Sequence, residues 1–199
     1  MNTKRFLAAV FSLSLERKEA SLGELSSRLG VDRDETGSEA KRLSGAGLVT
    51  LRRGSVSLTA KGRRAIRVVF MGGGFEIIHS GHLYTIEKAK ELGDALVVSA
   101  ARDSTIRRRK KREPIVGERE RVKLLSALRQ VDAAILGVQG DIYITLKKVS
   151  PDIVALGYDQ YHLEGEIVRE AKVRGMKLRV VRLGSPYPDI KTSKLLNEL

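Results

Sequence analysis

Residues 71–82, with the sequence MGGGFEIIHSGH, constrain the fold of this chain more than any other stretch. The apolar residues 66–70 before it have the character of a buried strand, and Leu83, Ile86 and Leu92 after it recur at helical spacing. The stretch is therefore predicted to be a turn between a strand and a helix. Glycines let backbone N–H groups approach a ligand closely, and a helix N-terminus favours an anion. The sequence therefore predicts a phosphate site here.

Two of the three histidines of the chain, His79 and His82, fall in this turn. At a spacing of three residues, their imidazoles would lie on one face of the first helical turn. Imidazoles in that place suit a phosphate whose negative charge grows in a transition state. A structural role is the usual one for a single histidine, but two histidines in one glycine turn favour catalysis.

Short apolar segments alternate with helical segments through the rest of the chain. The predicted strands are residues 95–101, 133–136, 153–156 and 178–181, and the predicted helices are residues 119–128, 142–149 and 164–174. The polar segment 102–116 is predicted to be a loop. This alternation predicts an α/β fold, a doubly wound parallel Rossmann-like sheet whose ligands bind beyond the carboxyl ends of the strands.

Residues 1–66 have a different pattern, with three predicted helices followed by two short strands and a short helix. Ser21 and Glu24 form a capping box at the start of the second helix. The order of these elements and the turn LSGAGLV at residues 43–49 resemble the winged helix-turn-helix family. We therefore predict two domains, a winged helix-turn-helix domain at 1–66 and the α/β domain at 67–199.

A winged helix would place its third helix and its wing against DNA. The candidate DNA contacts are the cations on these two elements, Lys41, Arg42, Arg52 and Arg53. Asp34, Glu35 and Glu39 on the same helix would repel phosphate, so a docking or dimerisation module is an equal alternative. The first helix offers an apolar partner surface for that alternative, formed by Phe6, Val10 and Phe11.

The overall charge and composition narrow the partners and the compartment. A formal net charge of +13 in 199 residues predicts an anionic partner, either a nucleotide or a nucleic acid. The chain has no cysteine, which excludes disulfides and thiolate metal sites and leads us to expect a cytoplasmic protein. No run of eighteen apolar residues occurs, so we expect no membrane span.

Six consecutive cations occupy residues 107–112, with the sequence RRRKKR. Such a run is usually solvated and mobile. Because this run follows a predicted strand of an α/β domain, folding over a polyphosphate is an equal alternative.

The glycine turn resembles the motif G-T-F-D-x-x-H-x-G-H of the cytidylyltransferase-like nucleotidyltransferases, with Gly74 in place of Thr and Glu76 in place of Asp. The sequence IKTSK at 190–194 is similar to the second motif of that family, I-S-[ST]-[ST]-[KR], with Lys191 in place of Ser. Within the family, three segments resemble archaeal FAD synthases: ARDST at 101–105, GDI at 140–142 and LGYDQ at 156–160.

The resemblance implies a set of site residues. The implied catalytic residues are His79, His82 and Lys194. The implied nucleotide-binding residues are Gly73, Gly74, Phe75, Glu76, Arg121, Gly157, Tyr158, Asp159, Gln160, Thr192 and Ser193. The resemblance also implies that Mg²⁺ or another divalent cation bridges the polyphosphate, and it leaves the metal ligands unknown.

The resemblance to archaeal FAD synthases implies transfer of AMP from ATP to FMN with release of pyrophosphate. One alternative is a cytidylyltransferase that converts glycerol phosphate or a related alcohol phosphate to a CDP-alcohol. Another is a DNA-binding regulator with a nucleotide-sensing domain. The two enzymes share these motifs, so the acceptor, the choice of ATP or CTP and the oligomeric state stay open at this point, and a homodimer is compatible with the sequence.

Overall fold

The structure is a computed structural model that describes residues 1–16 and 19–187. The chain divides into two units, Met1–Arg67 and Val68–Leu199, and each is described by itself.

The described part of the first unit contains three strands in one antiparallel sheet, with the order β1-β3-β2, and four helices. In chain order, the elements are α1 (Thr3–Glu16), β1 (Ala20–Ser21), α2 (Leu22–Leu29), α3 (Arg33–Gly45), β2 (Val49–Arg52), β3 (Ser55–Leu58) and α4 (Ala60–Arg64). The predicted capping box of Ser21 and Glu24 is confirmed at the start of α2, and Asp32 caps α3. The assignment to the winged helix-turn-helix family stays a prediction.

The suggested partner surface on α1 is wrong for the residues on which it was based. Phe6 and Val10 are 0% exposed and Phe11 is 6% exposed. The helix buries these residues in the core of its own unit, where burial stabilises the fold, so they present no apolar face to another chain.

The second unit carries a five-stranded parallel sheet with the order β6-β5-β4-β7-β8. In chain order, its described elements are β4 (Val68–Gly73), α5 (Ser80–Glu91), β5 (Ala95–Ala100), α6 (Asp103–Lys110), α7 (Glu118–Ser126), β6 (Ala133–Leu136), α8 (Ile142–Val149), β7 (Ile153–Leu156), α9 (Glu164–Val173) and β8 (Arg179–Arg182). The predicted doubly wound α/β fold is confirmed.

The position of β4 in this sheet determines where a ligand can bind. The chain moves outward from β4 to β5 and β6, and then returns to the other side of β4 to form β7 and β8. Helices α5, α6 and α8 therefore begin near the carboxyl edge of the sheet. The strand order reverses between β4 and β7, and the crevice beyond the carboxyl ends of such strands is where open α/β sheets bind ligands.

The central strands are apolar because both faces of the sheet are covered, as parallel sheets require. All six residues of β5 and all four of β7 are buried. Two aspartates tie the amino edge of the sheet, since Asp152 accepts the N–H of Val68 at 2.7 Å and Asp132 accepts the N–H of Leu96 at 2.6 Å. The rigid sheet leaves the loops at the opposite edge to form a site.

The predicted loop at 102–116 is wrong for its first half, where α6 forms. Polar residues fill this helix, and Ile106 is its buried residue, so the segment lacks the apolar periodicity by which helices are recognised in a sequence. Hydrogen bonds hold the start of the helix instead: Asp103 and Glu118 accept each other's backbone N–H groups at 3.3 and 2.9 Å. Strand β4 also starts two residues later than predicted and continues through Gly73.

Candidate functional site

The glycine turn lies at the carboxyl end of the central strand β4, as predicted. Gly73 is its last residue, and the carbonyl of Gly73 accepts the N–H of Ala101 at 2.8 Å. The left-handed backbone angle falls on Phe75, with φ of 51°, rather than on a glycine of this turn. The ring of Phe75 folds back so closely that a Cβ on Gly73 would lie 2.9 Å from it. The turn therefore requires Gly73 for close approach, and the strained residue sits at the site.

His79 and His82 lie together at the start of α5. His79 immediately precedes the helix and His82 is its third residue, and their ring centroids are 3.9 Å apart. The Nδ1 atom of each ring is buried and has no hydrogen-bond partner among the described residues. A buried polar atom without a partner is rare in native structures, and it marks a place where a ligand can supply the missing contact.

Burial favours the neutral form of both imidazoles. Burial, together with the neighbouring His79, lowers the pKa of His82 to about 4. Burial also lowers the pKa of His79, although the carboxylate of Asp159 opposes this effect. His82 also hydrogen-bonds with the backbone of Ile77. The pair is therefore desolvated and ready to respond to an anion, because negative charge nearby raises a histidine pKa.

The loop after β7 closes the other side of the crevice, as predicted for residues 157–160. Gln160 donates from its side-chain amide to the carbonyl of Gly72 at 2.7 Å, which links the ends of β7 and β4. Gly157 is buried and Tyr158 is half-buried beside it, whereas Asp159 is exposed and acts electrostatically on both imidazoles. The structure therefore brings this predicted loop to the two histidines.

Sequence reasoning missed Arg182, which holds this loop from β8. Its guanidinium donates to the carbonyls of Gly157 at 3.0 Å, Gln160 at 2.9 Å and His162 at 2.5 Å, and it pairs with Glu164 at 2.5 Å. The only available signal was a cation at the end of a predicted strand, which by itself does not distinguish a structural contact from a surface charge.

Glu76 contacts protein cations rather than open space. Its carboxylate is fully buried and accepts from Lys110 at 2.5 Å, from Arg112 at 2.7 and 3.0 Å, and from the N–H of Ile115 at 3.3 Å. Burial alone would raise the pKa of Glu76, but the hydrogen bonds from Arg112 and Lys110 outweigh it and lower the pKa to about 2. Its predicted part in nucleotide binding stays a prediction, and its contacts here fasten the cationic segment to the turn.

The cationic run 107–112 is thus ordered on the protein. Lys110 and Arg112 pair with Glu76, and Arg107 pairs with Glu113 at 2.8 Å. The Nζ of Lys110 lies 3.9 Å from the place that a Cβ on Gly74 would take. The helix α6 therefore brings positive charge to the edge of the glycine turn, where a polyphosphate would lie.

Arg121 is buried, so the alternative of a surface arginine is wrong. Its guanidinium is 0% exposed and donates to the carbonyl of Gly74 at 2.7 Å, to the carbonyl of Val116 at 2.9 Å and to Asp103 at 2.6 Å. These contacts support a positioning role beneath the turn. Direct nucleotide binding by Arg121 stays a prediction.

Lys194, Thr192 and Ser193 lie outside the described residues. Across residues 1–16 and 19–187, no group of three or more His, Asp or Glu side chains could hold a metal ion. None of the described helices is both long enough and apolar enough to cross a membrane.

The predicted DNA contacts lie in the first unit. Arg42 forms a two-pronged pair with Glu39 at 2.7 and 2.8 Å, so that its guanidinium and the acidic side chain partly neutralise each other. Arg52 and Arg53 are exposed at the turn between β2 and β3. Lys41 lines an open cavity of about 660 Å³ beside the start of α2.

Comparison with known proteins places this site in a family. A model of the family described as Cytidylyltransferase-like matches residues 70–198. The FAD synthase of Methanohalophilus mahii is 47% identical over 115 residues, which are 58% of this chain and 80% of that protein. The FAD synthase of Pyrococcus abyssi is 41% identical over 141 residues, which are 69% of this chain and 95% of that protein.

A solved structure agrees with these sequence matches. The crystal structure of the lipopolysaccharide core biosynthesis protein from Thermoplasma volcanium is 42% identical, with a TM-score of 0.59. The match covers 60% of this chain and 98% of that protein.

Proposed function

Because this chain belongs to the cytidylyltransferase-like family, we propose that it is a nucleotidyltransferase of the FAD synthase type, which transfers AMP from ATP to FMN. The observation that carries this proposal is the pair of buried, unpartnered Nδ1 atoms on His79 and His82 among the described residues. They lie at a helix N-terminus beside the strand-order reversal, where an anionic nucleotide is expected to bind.

In the proposed reaction, a phosphate oxygen of FMN attacks the α-phosphorus of ATP. A bond forms between that oxygen and the phosphorus while the bond to the bridging oxygen breaks, and the bridging oxygen leaves with pyrophosphate. Two phosphate groups react directly, so no covalent enzyme intermediate is needed. Enzymes of this kind act mainly through positioning and electrostatic stabilisation.

His82 gains a proton when the polyphosphate arrives. One unit charge at 4 Å interacts with another by about 4 kcal/mol at an effective dielectric constant of 20, which corresponds to roughly three pKa units. That is enough to raise the pKa of His82 from about 4 to near 7. The protonated ring can then donate from Nδ1 to the α-phosphate while its other nitrogen keeps the contact with Ile77. The added positive charge opposes the negative charge that develops in the transition state.

The cations of α6 are placed to receive the leaving pyrophosphate, since Lys110 lies beside Gly74. A divalent cation such as Mg²⁺ would be held by the phosphates of ATP and would neutralise part of their charge. This agrees with the preference of Mg²⁺ for one or two carboxylates together with substrate phosphates. Asp159 is exposed near the histidines and is a candidate carboxylate for that ion.

We also propose that the protein is cytoplasmic. For the first unit, DNA binding and dimerisation are the two proposals. Any binding of DNA through Lys41, Arg42, Arg52 and Arg53 is expected to be weak, sensitive to salt and largely independent of sequence. A titration of the full chain with random and selected duplexes tests this. Sequence-specific binding at physiological salt would contradict it and would favour a regulator. Sedimentation of the full chain tests whether it forms a homodimer.

The experiment for the main proposal uses purified full-length protein with Mg²⁺. One reaction contains ATP and FMN, and a second contains CTP and glycerol 3-phosphate. We expect FAD and pyrophosphate in the first reaction and no CDP-alcohol in the second. A CDP-alcohol without FAD would assign the protein to the alcohol-phosphate cytidylyltransferases instead.

A further inference from the structure

Three planar side chains are stacked at the carboxyl edge of the second unit. The guanidinium of Arg109 lies 4.3 Å from the centroid of the Tyr161 ring, and the ring centroids of Tyr161 and His162 are 4.0 Å apart, with a tilt of 36°. Tyr161 is nevertheless 61% exposed, which is a large fraction for an aromatic ring with two stacked neighbours. We refer to Arg109, Tyr161 and His162 as the aromatic platform.

The platform is assembled from the two segments that flank the glycine turn. Arg109 belongs to α6, which follows β5, and the two rings follow β7. In the sheet, β4 lies between β5 and β7. The stack therefore connects the loops on the two sides of the strand that ends at the glycine turn.

We propose that this platform binds the isoalloxazine ring of FMN, the acceptor in the FAD synthase reaction on which this inference rests. A flat heteroaromatic ring gains stacking energy on an exposed tyrosine, and it can also lie against a guanidinium. The existing contact between Arg109 and Tyr161 is a surface cation–π pair, which is weak enough for a planar ring to enter between them.

The hydrogen-bonding groups of the platform favour a flavin over an adenine. A guanidinium carries five N–H donors and no acceptor. Isoalloxazine offers two carbonyl oxygens as acceptors in addition to ring nitrogens, whereas adenine has no carbonyl oxygen and offers ring nitrogens alone as acceptors beside its amino donor. Burial lowers the pKa of His162, and the nearby Arg109 lowers it further, so that its neutral ring can stack without adding charge.

Both segments of the platform are adjacent in sequence to residues of the phosphate site. Tyr161 follows Asp159 by two residues, and Asp159 acts electrostatically on both imidazoles. Arg109 precedes Lys110, which Glu76 holds at the glycine turn. Arg182 holds the carbonyl of His162, so the loop that carries the rings is anchored. The proposed flavin site and the phosphate site are therefore both formed in part by α6 and by the loop after β7.

The test measures FMN binding by the quenching of flavin fluorescence in the full chain, which contains no tryptophan. Base–aromatic stacking predicts that Tyr161→Ala weakens FMN binding about tenfold or more and removes most of the quenching. Tyr161→Phe retains the ring, so we expect its affinity to stay within about threefold of the wild type. The affinity for ATP, measured separately by calorimetry, should change by less than about twofold in both variants.

Tyr143→Ala is the matched control. Tyr143 belongs to the same unit and also lies under an arginine, with Arg174 at 4.4 Å from its ring centroid, but it is on α8. Its replacement should leave FMN binding and quenching unchanged. Circular dichroism of each variant checks that the fold is retained. Arg109→Ala provides a second change in the platform, with an expected loss of FMN affinity of about threefold to tenfold.

Four outcomes would overturn the assignment in different ways. Wild-type affinity and quenching in both Tyr161→Ala and Arg109→Ala would show that the platform binds no flavin. A loss of ATP affinity without a loss of FMN affinity would assign the platform to adenine. If the wild-type protein forms no FAD, the proposed function fails and this inference fails with it, whereas normal FAD synthesis by Tyr161→Ala refutes the platform alone.

Discussion

Replacing the buried Glu76 by glutamine should destabilise the second unit substantially. Glu76→Gln keeps the size of the side chain but removes the charge that Lys110 and Arg112 neutralise. A pKa lowered from 4.5 to about 2 corresponds to roughly 3 kcal/mol of stability at neutral pH. The two cations are 41% and 34% exposed, so water partly replaces the lost pairing. We therefore expect a loss of roughly 2–3 kcal/mol.

The same ion cluster predicts how this loss depends on pH. Because the folded pKa of Glu76 is depressed, its contribution is fully present above pH 4.5 and is lost as the pH falls toward about 2. The difference in unfolding free energy between the wild type and Glu76→Gln should therefore be constant from pH 7 to about 5 and should shrink below pH 4.5.

Urea unfolding followed by circular dichroism measures this difference in the full chain at several pH values. Glu113→Gln is the control, because Glu113 pairs with Arg107 in the same cationic run but has a 74% exposed side chain. An exposed ion pair contributes about 0–1 kcal/mol, so the free energy of unfolding of the control variant should fall only slightly. Equal losses in the two variants, or a Glu76→Gln loss that does not change down to pH 3, would refute the reasoning.

Three further predictions concern the glycine turn and its histidines. Gly73→Ala should destabilise the fold by about 1–3 kcal/mol in urea unfolding, because its Cβ would lie 2.9 Å from the Phe75 ring; an unchanged midpoint would contradict this. His82→Ala should lower kcat roughly 10²-fold with an unchanged circular dichroism spectrum, as expected for a lost transition-state donor, and near-normal turnover would exclude that role. Because the pKa of His82 is lowered from 6.5 to about 4, the folded state resists its protonation, so wild-type stability should fall by about 2 kcal/mol from pH 7.5 to 5. His82→Asn should show a smaller fall, and an equal one would contradict the assigned pKa.

The sequence predicted the family, the doubly wound sheet and the enzyme class because these depend on strong local signals. Strands β5 and β7 are continuous apolar runs, and the turn with His79 and His82 combines glycines with a helix start. The capping box at Ser21 was predictable for the same reason, since its two partners are three residues apart. Each of these features is defined within a few neighbouring residues.

The features that were not predicted depend on contacts between distant residues. Helix α6 has no apolar period, and Glu76, which lies 34 residues before Lys110, holds its end. The buried guanidinium of Arg121 donates a hydrogen bond to the carbonyl of Gly74, which lies 47 residues earlier in the chain. Arg182 anchors a loop that is 20 to 25 residues away. A single sequence gives no information about which of many cations makes such a contact.

The backbone conformation of the glycine turn was also not predictable from the sequence, although it involves neighbouring residues. No left-handed backbone angle was predicted for any residue of the turn, and Phe75 takes one. Phe75 is 3% exposed, and its burial in the core compensates for the unfavourable backbone angle. The sequence located the turn correctly, whereas the tertiary packing of one ring determined its conformation.

The most direct test of this account is product analysis by chromatography after incubation of the purified full-length chain with Mg²⁺, ATP and FMN. The account predicts one FAD and one pyrophosphate for each ATP consumed, and it predicts that His82→Ala reduces this rate roughly 10²-fold. Consumption of neither substrate, or a nucleotidyl product formed from CTP but none from ATP and FMN, would contradict it.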